Sequence, residues 1–476
     1  MDPLSLEQLT ANLPRGRDVE AEVVARTGCP VLLVLDDDPT GTQSVADLPV
    51  ITAWQVDDLA WALSTGARAV YVMTNSRSLS PADAERVNRE VVTNGLEAAR
   101  RTDRTVAFVS RSDSTLRGHF PLEPDVIASE LTGAGQRVDG VIIVPAFPDA
   151  GRITVDSTHY AGSPADGYMP VGQTEFAQDA TFGYRSSYLP DWVAEKSSGQ
   201  RPADTVLRVT LAQIRTDQEA VVTTLRHAHD RQPIVVDCVE ENDLRLFSLA
   251  LARAEEGGQA FIYRVGPPFV RARIGQQVHP PLTAEQSRPA PDAVASDAAG
   301  GLIVVGSHVG VTGRQLDALR ERLAITTLTI DVPTVLDPDQ REAHLHQIVA
   351  RAARELLRGS VVIQTSRQVV TGADADDSLR IARDVSAALV STVAQALAAR
   401  APRFVIAKGG ITSSDVASKG LGIRHATVRG PMLPGIVSMW QPADGPARGI
   451  PYIVFAGNVG SDDSLAEVVE KLQSTL

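Results

Sequence analysis

The sequence predicts an α/β protein with two domains, each built on a largely parallel sheet that is flanked by helices. Short apolar runs rich in β-branched residues alternate with amphipathic helical segments in both halves of the chain. The length of 476 residues exceeds what one domain usually holds. Residues 276–300, rich in Pro, Ala, Ser and Asp without hydrophobic periodicity, have the composition of a linker. We therefore expect one domain on each side of this segment.

The N-terminal domain is expected to span residues 1–275. Residues 151–205 interrupt its strand–helix rhythm, and their Gly, Ser and Tyr content predicts long loops with room for a short hairpin. The expected strands are 31–35, 69–73, 105–109, 140–144, 233–237 and 260–263, and the expected helices are 80–101, 121–133, 211–228 and 241–255.

The C-terminal domain is expected to span residues 301–476. Ligands of open α/β sheets bind beyond the carboxyl ends of the strands, so functional residues are sought directly after each strand. The expected strands are 301–306, 325–331, 359–365, 402–407 and 451–456, and the expected helices are 312–323, 338–358, 376–400, 413–420 and 463–474.

The composition excludes several classes of protein. A formal net charge of −13 argues against general binding to nucleic acid or to an anionic membrane, although a locally basic site can still bind a small anion. Cys29 and Cys238 are the only cysteines, which predicts reduced, buried thiols and neither a disulfide framework nor a zinc site. The polar, acidic N-terminus does not read as a signal peptide, and no apolar run approaches the roughly 18 residues of a membrane span. We expect a cytoplasmic location.

The first expected strand ends on three acids, in the stretch VLLVLDDDPTGTQSV that begins at residue 31. Repulsion among Asp36, Asp37 and Asp38 is unfavourable unless cations or a hydroxyl-rich ligand lie against them. Such carboxylates can accept hydrogen bonds from hydroxyls, take a proton or hold Mg²⁺ through water. The Thr-Gly-Thr that starts at Thr40 adds hydroxyls and free N–H groups for an anion. A helix N-cap would need only one aspartate, so the cluster predicts function.

Arginines and hydroxyl residues follow the next expected strands. Arginine is the preferred fork for a carboxylate or phosphate, and Asp113 is a candidate base toward a substrate hydroxyl. The residues of the turn 74–77 are explained equally well by ligand binding and by a solvated turn that leads to the cap of the next helix. The set as a whole suits a small, hydroxylated acid. These candidate substrate-binding residues are Asn75 and Arg77, then Arg111, Ser112, Asp113 and Arg117, and then Arg152.

In the C-terminal half, three strand-to-helix turns carry glycine beside hydroxyl residues. Glycine lets the backbone approach a phosphate, and helix N-termini attract anions. The sequence contains neither a P-loop nor a dinucleotide fingerprint, and no G-x-S-x-G elbow, which disfavours P-loop NTPases, nicotinamide dehydrogenases and serine hydrolases. The candidate phosphate-binding residues are Ser307, then Gly409, Gly410, Ile411 and Thr412, then Gly457, Asn458, Gly460 and Ser461, with Gly435 in a fourth small-residue turn.

Six motifs, in order along the chain, carry a resemblance to a known family. They are Asp-Asp-Pro-Thr-Gly (37–41), Asp-Ser-Thr-Leu-Arg-Gly (113–118), Pro-Ala-Phe-Pro-Asp-Ala-Gly-Arg (145–152), Gly-Ser (306–307), Gly-Gly-Ile-Thr-Ser (409–413) and a late Gly-x-x-Gly-x-x-Asp (457–463). On these residues the sequence resembles the four-carbon acid sugar kinases, which include the threonate and 3-oxo-tetronate kinases. It departs from them at Pro39, where leucine is usual, and at Ile411, where an acid is common.

The resemblance implies a sugar-acid-binding N-terminal domain, a nucleotide-binding C-terminal domain and an active site in the cleft between them. It implies phosphorylation of a hydroxyl of a sugar acid of about four carbons by ATP with Mg²⁺, whose ligands the sequence does not identify. Arg77, Arg111 and Arg117 would hold the substrate carboxylate. Asp37 or Asp113 would orient and deprotonate the hydroxyl. Backbone N–H groups of 409–412 and 457–461, with Ser307, would hold the ATP phosphates.

Two other functions remain open at this stage. An ATP-using ligase or acyl-phosphate-forming enzyme would use the same arginines and glycines on the carboxylate itself. A non-catalytic sugar-acid sensor would bind its ligand without forming ADP. The expected partners are a small sugar acid and ATP, with no nucleic acid and no membrane, and the oligomeric state is left open with a homodimer as one option.

Overall fold

The computed structural model describes residues 3–307, 309–366 and 375–474. The chain forms two compact units. The first comprises Met1–Val45 and Trp54–Val278, and the second comprises Ala46–Ala53 and His279–Leu476. Each unit contains a largely parallel sheet with helices packed on it, so the predicted α/β class is confirmed.

The strands are numbered in chain order. They are β1 Val31–Asp36, β2 Leu48–Ile51, β3 Ala69–Met73, β4 Val106–Arg111, β5 Gly140–Val144, β6 Arg152–Val155, β7 Thr158–Ser163, β8 Gly167–Pro170, β9 Leu207–Val209, β10 Gln232–Val236, β11 Phe261–Val265, β12 Leu302–Val305, β13 Thr326–Ile330, β14 Val361–Thr365, β15 Val405–Lys408, β16 His425–Leu433, β17 Ile436–Pro442 and β18 Tyr452–Phe455.

The helices are numbered in the same way. They are α1 Leu6–Thr10, α2 Ala21–Ala25, α3 Val56–Ser64, α4 Pro81–Thr102, α5 Leu122–Gly133, α6 Leu189–Lys196, α7 Leu211–Thr216, α8 Gln218–His227, α9 Glu241–Glu256, α10 Pro267–Arg273, α11 Gly310–Arg322, α12 Val332–Leu336, α13 Pro338–Glu355, α14 Ala375–Ala399, α15 Gly410–Asp415 and α16 Ser464–Gln473.

The main sheet of the first unit has the strand order β3-β1-β4-β11-β5-β10-β9, and every pair in it is parallel. Parallel sheets are covered on both faces, which is why these strands read as continuous apolar runs. Leu32, Leu33 and Val34 of β1 are all fully buried. Because the strands are parallel, the residues that follow them meet at one edge of the sheet.

Local signals explain where the helices of this unit begin. The Ser80 side chain accepts a hydrogen bond from the Asp83 N–H, and Pro81 opens α4 at the position where proline is tolerated. The expected helix 211–228 is broken into α7 and α8 at Asp217, whose φ of −138° and ψ of 75° are not helical. Its side chain accepts a hydrogen bond from the Ala220 N–H and so caps the second helix.

Residues 151–205 are more ordered than the predicted loops. They contain a three-stranded antiparallel sheet in the order β6-β7-β8. This small sheet is joined to the main sheet where Thr154 and Cys238 exchange backbone hydrogen bonds of 2.8 and 3.0 Å. Composition alone pointed to loops because the three strands are only four to six residues long and each carries little signal of its own.

The sheet of the second unit has the order β13-β14-β12-β15-β18-β17-β16-β2. The first five strands are parallel, and β17, β16 and β2 are antiparallel to their neighbours. The sequence placed residues 46–53 inside the range 1–275, but they belong to the second unit because β2 pairs with β16. A four-residue strand that contains Pro49 carries little sequence signal of its own.

The segment 279–300, which has the composition of a linker, is anchored to the second unit. The Leu282 N–H donates to the Pro431 carbonyl (2.8 Å), and the Ala290 N–H donates to the Gly449 carbonyl (2.9 Å). Leu282 is also part of the apolar core of that unit. Proline-rich composition therefore reflects irregular backbone here and not a free connection.

The sequence predicted no apolar segment long enough to span a membrane, but one helix meets the length and hydropathy criteria for such a segment. Within the described residues, Arg380–Ala399 of α14 is long and apolar enough by length and composition to cross a membrane, with 39% of the segment buried inside the protein. The core helix of a soluble protein passes the same test. Ala388, Val393 and Ala396 of this helix are fully buried, which is the pattern of a helix that packs on one face.

Candidate active site

The carboxyl ends of β3, β1 and β4 bring the predicted acids and arginines of the first unit together. Asp36 is in register with Met73 on one side and with Arg111 on the other. The chain after each strand then supplies the remaining groups, namely Asp37 and Asp38, the turn 74–77 and the loop 112–118. Most of this cluster is buried, so its charges act on one another through little water.

Arg111 is the cation at the centre of the cluster. Its guanidinium pairs with Asp36, lies 3.4 Å from Asp37 Oδ1 and donates to the Asp38 carbonyl at 2.6 Å. All three side chains of the Asp36, Asp37 and Arg111 group are at most 3% exposed. Burial lowers the pKa of Arg111 to about 9. A Cβ at Gly41 would overlap Asp36 Oδ2 and Arg111 Nε, so only glycine lets this turn close over the pair.

A second group of charges forms around Asp113. Arg117 Nε lies 2.7 Å from Asp113 Oδ2, and Arg77 lies 3.5 Å from Oδ1 and also pairs with Asp38. Burial alone would raise the pKa of Asp113, but Arg77, Arg117 and the hydrogen bond from Thr115 outweigh it and lower the pKa to about 2. Asp113 is therefore a structural anion and a weak base.

Asp37 has the opposite character. Neither carboxylate oxygen makes a hydrogen bond within the described residues, and the side chain is buried. Burial raises the pKa of Asp37 to about 8, with the nearby charge of Glu123 adding to the rise and Arg77 opposing it. A Cβ at Gly118 would lie 3.1 Å from Asp37 Oδ2, so the glycine backbone approaches this carboxylate closely. Of the two candidate bases, Asp37 is the one suited to take a proton near neutral pH.

A buried ion network beneath the cluster was not predicted from the sequence. Arg264 of β11 lies 3.0 Å from Glu123 Oε2, and Ser110 Oγ donates to the same oxygen at 3.1 Å. Ser76 donates to the other Glu123 oxygen. The only signal was an arginine inside the apolar run FIYRV, an unusual place for a charge unless it is paired.

Residues of the 151–205 segment hold the Asp-Ser-Thr-Leu-Arg-Gly loop in place. The fully buried His159 contacts the Ser114 carbonyl through Nε2 (2.8 Å), and the Tyr184 hydroxyl donates to the Thr115 carbonyl (2.5 Å). Burial lowers the pKa of His159 to about 4, so the ring is neutral at physiological pH. The sequence indicated a functional segment here by its length but did not show which residues contact the loop.

Arg152 differs from the other predicted arginines. Within the described residues it has no carboxylate partner, and its Nε is buried without a hydrogen bond. Its guanidinium lies 5.5 Å from the centroid of the Phe176 ring, and that of Arg117 lies 5.4 Å from the same centroid. The guanidinium also donates to the Ala150 carbonyl, so Phe176 and Ala150 position a cation without a carboxylate partner at the edge of the acidic cluster.

The remaining predicted residues of this unit lie at the same edge. The Thr40 N–H and hydroxyl donate to Asp38 Oδ1 at 2.9 and 2.5 Å, so Asp38 caps the short helical turn that contains Thr40. Asn75 has a left-handed φ of 50°, a conformation that costs energy for most residues and is frequent at functional sites. Ser112 is buried, and its N–H donates to the Val265 carbonyl at 2.9 Å.

In the second unit, three predicted turns follow adjacent parallel strands. Ser307 follows β12, Gly409 follows β15 and Gly457 follows β18, and these strands are neighbours in the sheet. Side chains tie the turns together, because the Thr312 hydroxyl donates to Ser307 Oγ at 3.2 Å and to the Gly457 carbonyl at 2.9 Å. The turns thus form one surface of glycines and hydroxyls, the glycine surface, at the carboxyl edge of the sheet, where ligands of open α/β sheets bind.

The loop after β18 is held from below. Gln315 Nε2 donates to the Val459 carbonyl at 3.0 Å and to the Ser461 carbonyl at 2.7 Å. Gly460 has a positive φ of 84°, and the Ser461 N–H donates to Ser464 Oγ at 2.9 Å. Asn458 lies inside this loop, between two glycines.

The other predicted members of the glycine surface occupy its margins. Gly410 begins α15, and Ile411 is 57% exposed, so its side chain points away from the core. Thr412 lies close to both Gly306 and Gly409. Gly435 forms the turn between β16 and β17, which the strand register places at the same edge as the end of β18.

Across residues 3–307, 309–366 and 375–474, the structure contains no group of three or more His, Cys, Asp or Glu side chains that could hold a metal ion.

Comparisons with known proteins match both halves of the chain. A family model described as a sugar-binding N-terminal domain matches residues 32–273, and one described as a nucleotide-binding C-terminal domain matches residues 302–465. A D-erythronate kinase of Heliobacterium modesticaldum is 24% identical over 421 residues, which cover 85% of this chain and 87% of the relative. A D-threonate kinase of Cupriavidus necator is 28% identical over 406 residues, which cover 82% of this chain and 84% of the relative.

The fold is shared with a protein of known structure. A protein of Salmonella typhimurium LT2 superposes with a TM-score of 0.66 at 16% sequence identity. The match covers 92% of this chain and 98% of the other. At this identity the similarity supports the fold and carries no information on activity.

The role of Arg111 in the cluster can be tested by mutation. Arg111→Met leaves Asp36 and Asp37 buried without their cation, and we expect it to lower the free energy of unfolding by about 3–5 kcal/mol. Denaturant unfolding followed by circular dichroism measures the loss. Asp36→Asn in the same chain should recover part of it. Arg86→Met removes an exposed, ion-paired arginine of α4 and should leave stability essentially unchanged. Equal effects of Arg111→Met and Arg86→Met would contradict this account of the cluster.

Proposed function

Because this chain belongs to the four-carbon acid sugar kinase family, in which a sugar-binding N-terminal domain is joined to a nucleotide-binding C-terminal domain, we propose that it transfers the terminal phosphoryl group of ATP to a hydroxyl of a small sugar acid. The observation that carries the proposal is that the described part of the first unit contains both a buried carboxylate without a hydrogen bond and an arginine without a carboxylate partner. Asp37 is buried without a hydrogen-bond partner, and Arg152 has no carboxylate partner in the described residues.

Arg152 is the proposed anchor for the substrate carboxylate. Arg77, Arg111 and Arg117, which the resemblance assigned to this task, already pair with aspartates of the cluster. A guanidinium that is spent on a protein carboxylate has fewer N–H groups left for a ligand. We assign the three paired arginines to the organisation of the site and keep Arg152 for the ligand.

Asp37 is the proposed base. It would take the proton of the substrate hydroxyl as that oxygen forms its bond to the terminal phosphorus of ATP. The bond between this phosphorus and the oxygen bridging to the second phosphate breaks, and ADP leaves with that electron pair. Asp36, Asp38, Thr40, Asn75 and Ser112 would hydrogen-bond the remaining hydroxyls of the sugar acid. Asp113, held ionised by Arg77 and Arg117, would keep those two arginines in place.

The glycine turns of the second unit are the proposed phosphate site. Backbone N–H groups of 410–412 and 457–460, together with the Ser307 hydroxyl, would donate to the ATP phosphates, whereas the N–H groups of Gly409 and Ser461 already donate to Phe455 and Ser464. Magnesium would enter with ATP and neutralise phosphate charge, with ligands chiefly from phosphates and water. We keep Mg²⁺, a cytoplasmic location and a homodimer as predictions.

The buried base favours a hydroxyl acceptor over the two other functions considered. A substrate carboxylate that becomes an acyl phosphate is already ionised near neutral pH. Such a reaction would therefore need no general base, and Asp37 would have no catalytic role in it. A sensor would have no need of a buried carboxylate that lacks a hydrogen bond, which costs stability. The kinase reaction is the function that uses the group.

The product identifies the reaction. We expect incubation with ATP and four-carbon aldonic or ketoaldonic acids to give ADP and a phosphate monoester, which phosphorus NMR distinguishes from an acyl phosphate. Screening acids of three to six carbons by ADP release finds the preferred substrate first. Formation of an acyl phosphate would replace the kinase by a carboxylate-activating enzyme. Ligand binding without ADP would support a sensor.

The pH dependence tests the base. Because burial holds the pKa of Asp37 near 8, kcat/KM should rise with pH up to about pH 8 and then level off. Asp37→Asn should remove this limb together with most of the activity. Asp113→Asn should keep the limb, because the pKa of Asp113 is about 2 and the group does not titrate in this range. A wild-type profile that is flat from pH 6 to pH 9 would exclude Asp37 as the base.

A stability measurement guards against misfolding of the Asp37 variant. The folded-state pKa of Asp37 lies above its unfolded value, so wild-type stability falls as pH rises from about 4 to about 8. Asp37→Asn removes this loss. The variant should therefore melt no lower than wild type at pH 8.

The carboxylate anchor is tested through substrate binding. Arg152→Leu should raise KM for the sugar acid by roughly 10–100-fold with a smaller change in kcat. The rise in KM corresponds to the free energy of a hydrogen bond to a charged group. The variant should also lose its preference for the acid over the matching uncharged polyol. Arg185→Leu is the control, since Arg185 is 92% exposed at its side chain and pairs only loosely with Glu195. An unchanged KM in Arg152→Leu would move the carboxylate site elsewhere.

A further inference from the structure

Lys408 is a buried lysine at the carboxyl edge of the second unit's sheet, and none of the roles proposed above uses it. It is the last residue of β15, directly before Gly409, and it is fully buried. Its Nζ donates to the Ala456 carbonyl at 2.8 Å and lies 3.9 Å from the centroid of the Phe455 ring. Within the part of the chain that the structure describes, no carboxylate pairs with it.

Such a side chain is expensive to keep in the interior. An ammonium has three N–H donors, and the described surroundings offer Lys408 one carbonyl and one aromatic face. Burying a charge without a counter-ion is strongly unfavourable, and a methionine would pack against Phe455 without that cost. Burial accordingly lowers the pKa of Lys408 to about 7. The group becomes favourable when an anion arrives next to it.

The position of Lys408 indicates which anion this is. In the sheet register, Lys408 lies opposite Val305 of β12 and Phe455 of β18. Those residues directly precede the turns that contain Ser307 and Gly457. Lys408 therefore sits on the middle strand of the three whose turns form the glycine surface.

The other titratable groups on the surrounding elements are already engaged. The Tyr452 hydroxyl of β18 donates to the Ser413 carbonyl. Asp415 of α15 pairs with Lys419 at 2.7 Å, and Asp462 of the loop after β18 pairs with Arg314 at 2.8 Å. These contacts leave no protein anion assigned to Lys408 among the described residues.

We propose that Lys408 is the side-chain cation that binds the nucleotide phosphates, and that it takes up a proton when ATP binds. This inference rests on the proposed nucleotide site and adds a pH dependence to it. Nucleotide affinity should fall as pH rises above 7, by up to tenfold per pH unit, because the free protein must first gain the proton. The glycine turns alone would give an affinity that does not depend on pH in this range.

Titration calorimetry of the full chain with ATP and Mg²⁺, without sugar acid, measures the proton directly. The binding enthalpy is compared at pH 8 in two buffers of different ionisation enthalpy. At this pH the ATP phosphates are already deprotonated, so any proton taken up goes to the protein. We expect uptake close to one proton in the wild type.

Two lysine variants separate Lys408 from other groups. Lys408→Met should abolish proton uptake and weaken ATP binding by roughly 10–100-fold at pH 7. Lys419→Met, which removes an exposed lysine on the adjacent turn, should change neither. A purely structural role for Lys408 would lower the melting temperature of Lys408→Met and leave the proton count unmoved, whereas our proposal expects a variant at least as stable as wild type.

The outcomes also distinguish this inference from the proposed function. ATP binding without proton uptake in the wild type, or uptake that persists in Lys408→Met, overturns the role of Lys408 and leaves the kinase proposal standing. No binding of ATP to the wild type overturns both.

Discussion

The placement of Arg111 beside two buried aspartates, Asp36 and Asp37, is the interaction on which the candidate site depends. Asp36 and Asp37 end a fully buried strand, where water cannot screen their repulsion. Arg111 ends the neighbouring strand in register with Asp36, so the parallel pairing of β1 and β4 itself delivers the cation to the acids. Because water is excluded from these groups, the electrostatic interactions between their charges are strong. The position of every other polar group at this edge therefore has a large effect on the energy of the cluster.

The surroundings give chemically identical side chains different roles. Asp113, which is gripped by Arg77 and Arg117, has a pKa of about 2, whereas Asp37, buried and without a hydrogen bond in the described residues, has a pKa of about 8. The arginines divide in the same way, since three are committed to protein carboxylates and Arg152 rests on Phe176 without one. When the surroundings shift the pKa values of two identical side chains this far apart, one of them can hold the site together while the other reacts.

The candidate site of the second unit has few charged side chains. Its turns present glycine backbone and hydroxyls, with Gln315 and Thr312 fixing the loop after β18 from below. In place of a cluster of exposed cations it keeps Lys408 buried beside Phe455. A surface of N–H dipoles with one cation beneath it suits a ligand that carries several negative charges and must still be released.

The sequence by itself determined the α/β class, the strand ends that carry chemistry and the family, because apolar runs and motifs such as Asp113–Gly118 are local in the chain. It also predicted that Asp36–Asp38 would need cations or a hydroxyl-rich ligand against them. Only the tertiary structure decided which cation serves which acid, that Glu123 and Arg264 form a buried pair, and that β2 belongs to the second unit. The physical reason is that burial and pairing set pKa values and hydrogen-bond commitments, and both depend on residues far apart in the chain. Sequence spacing carries no information about those contacts.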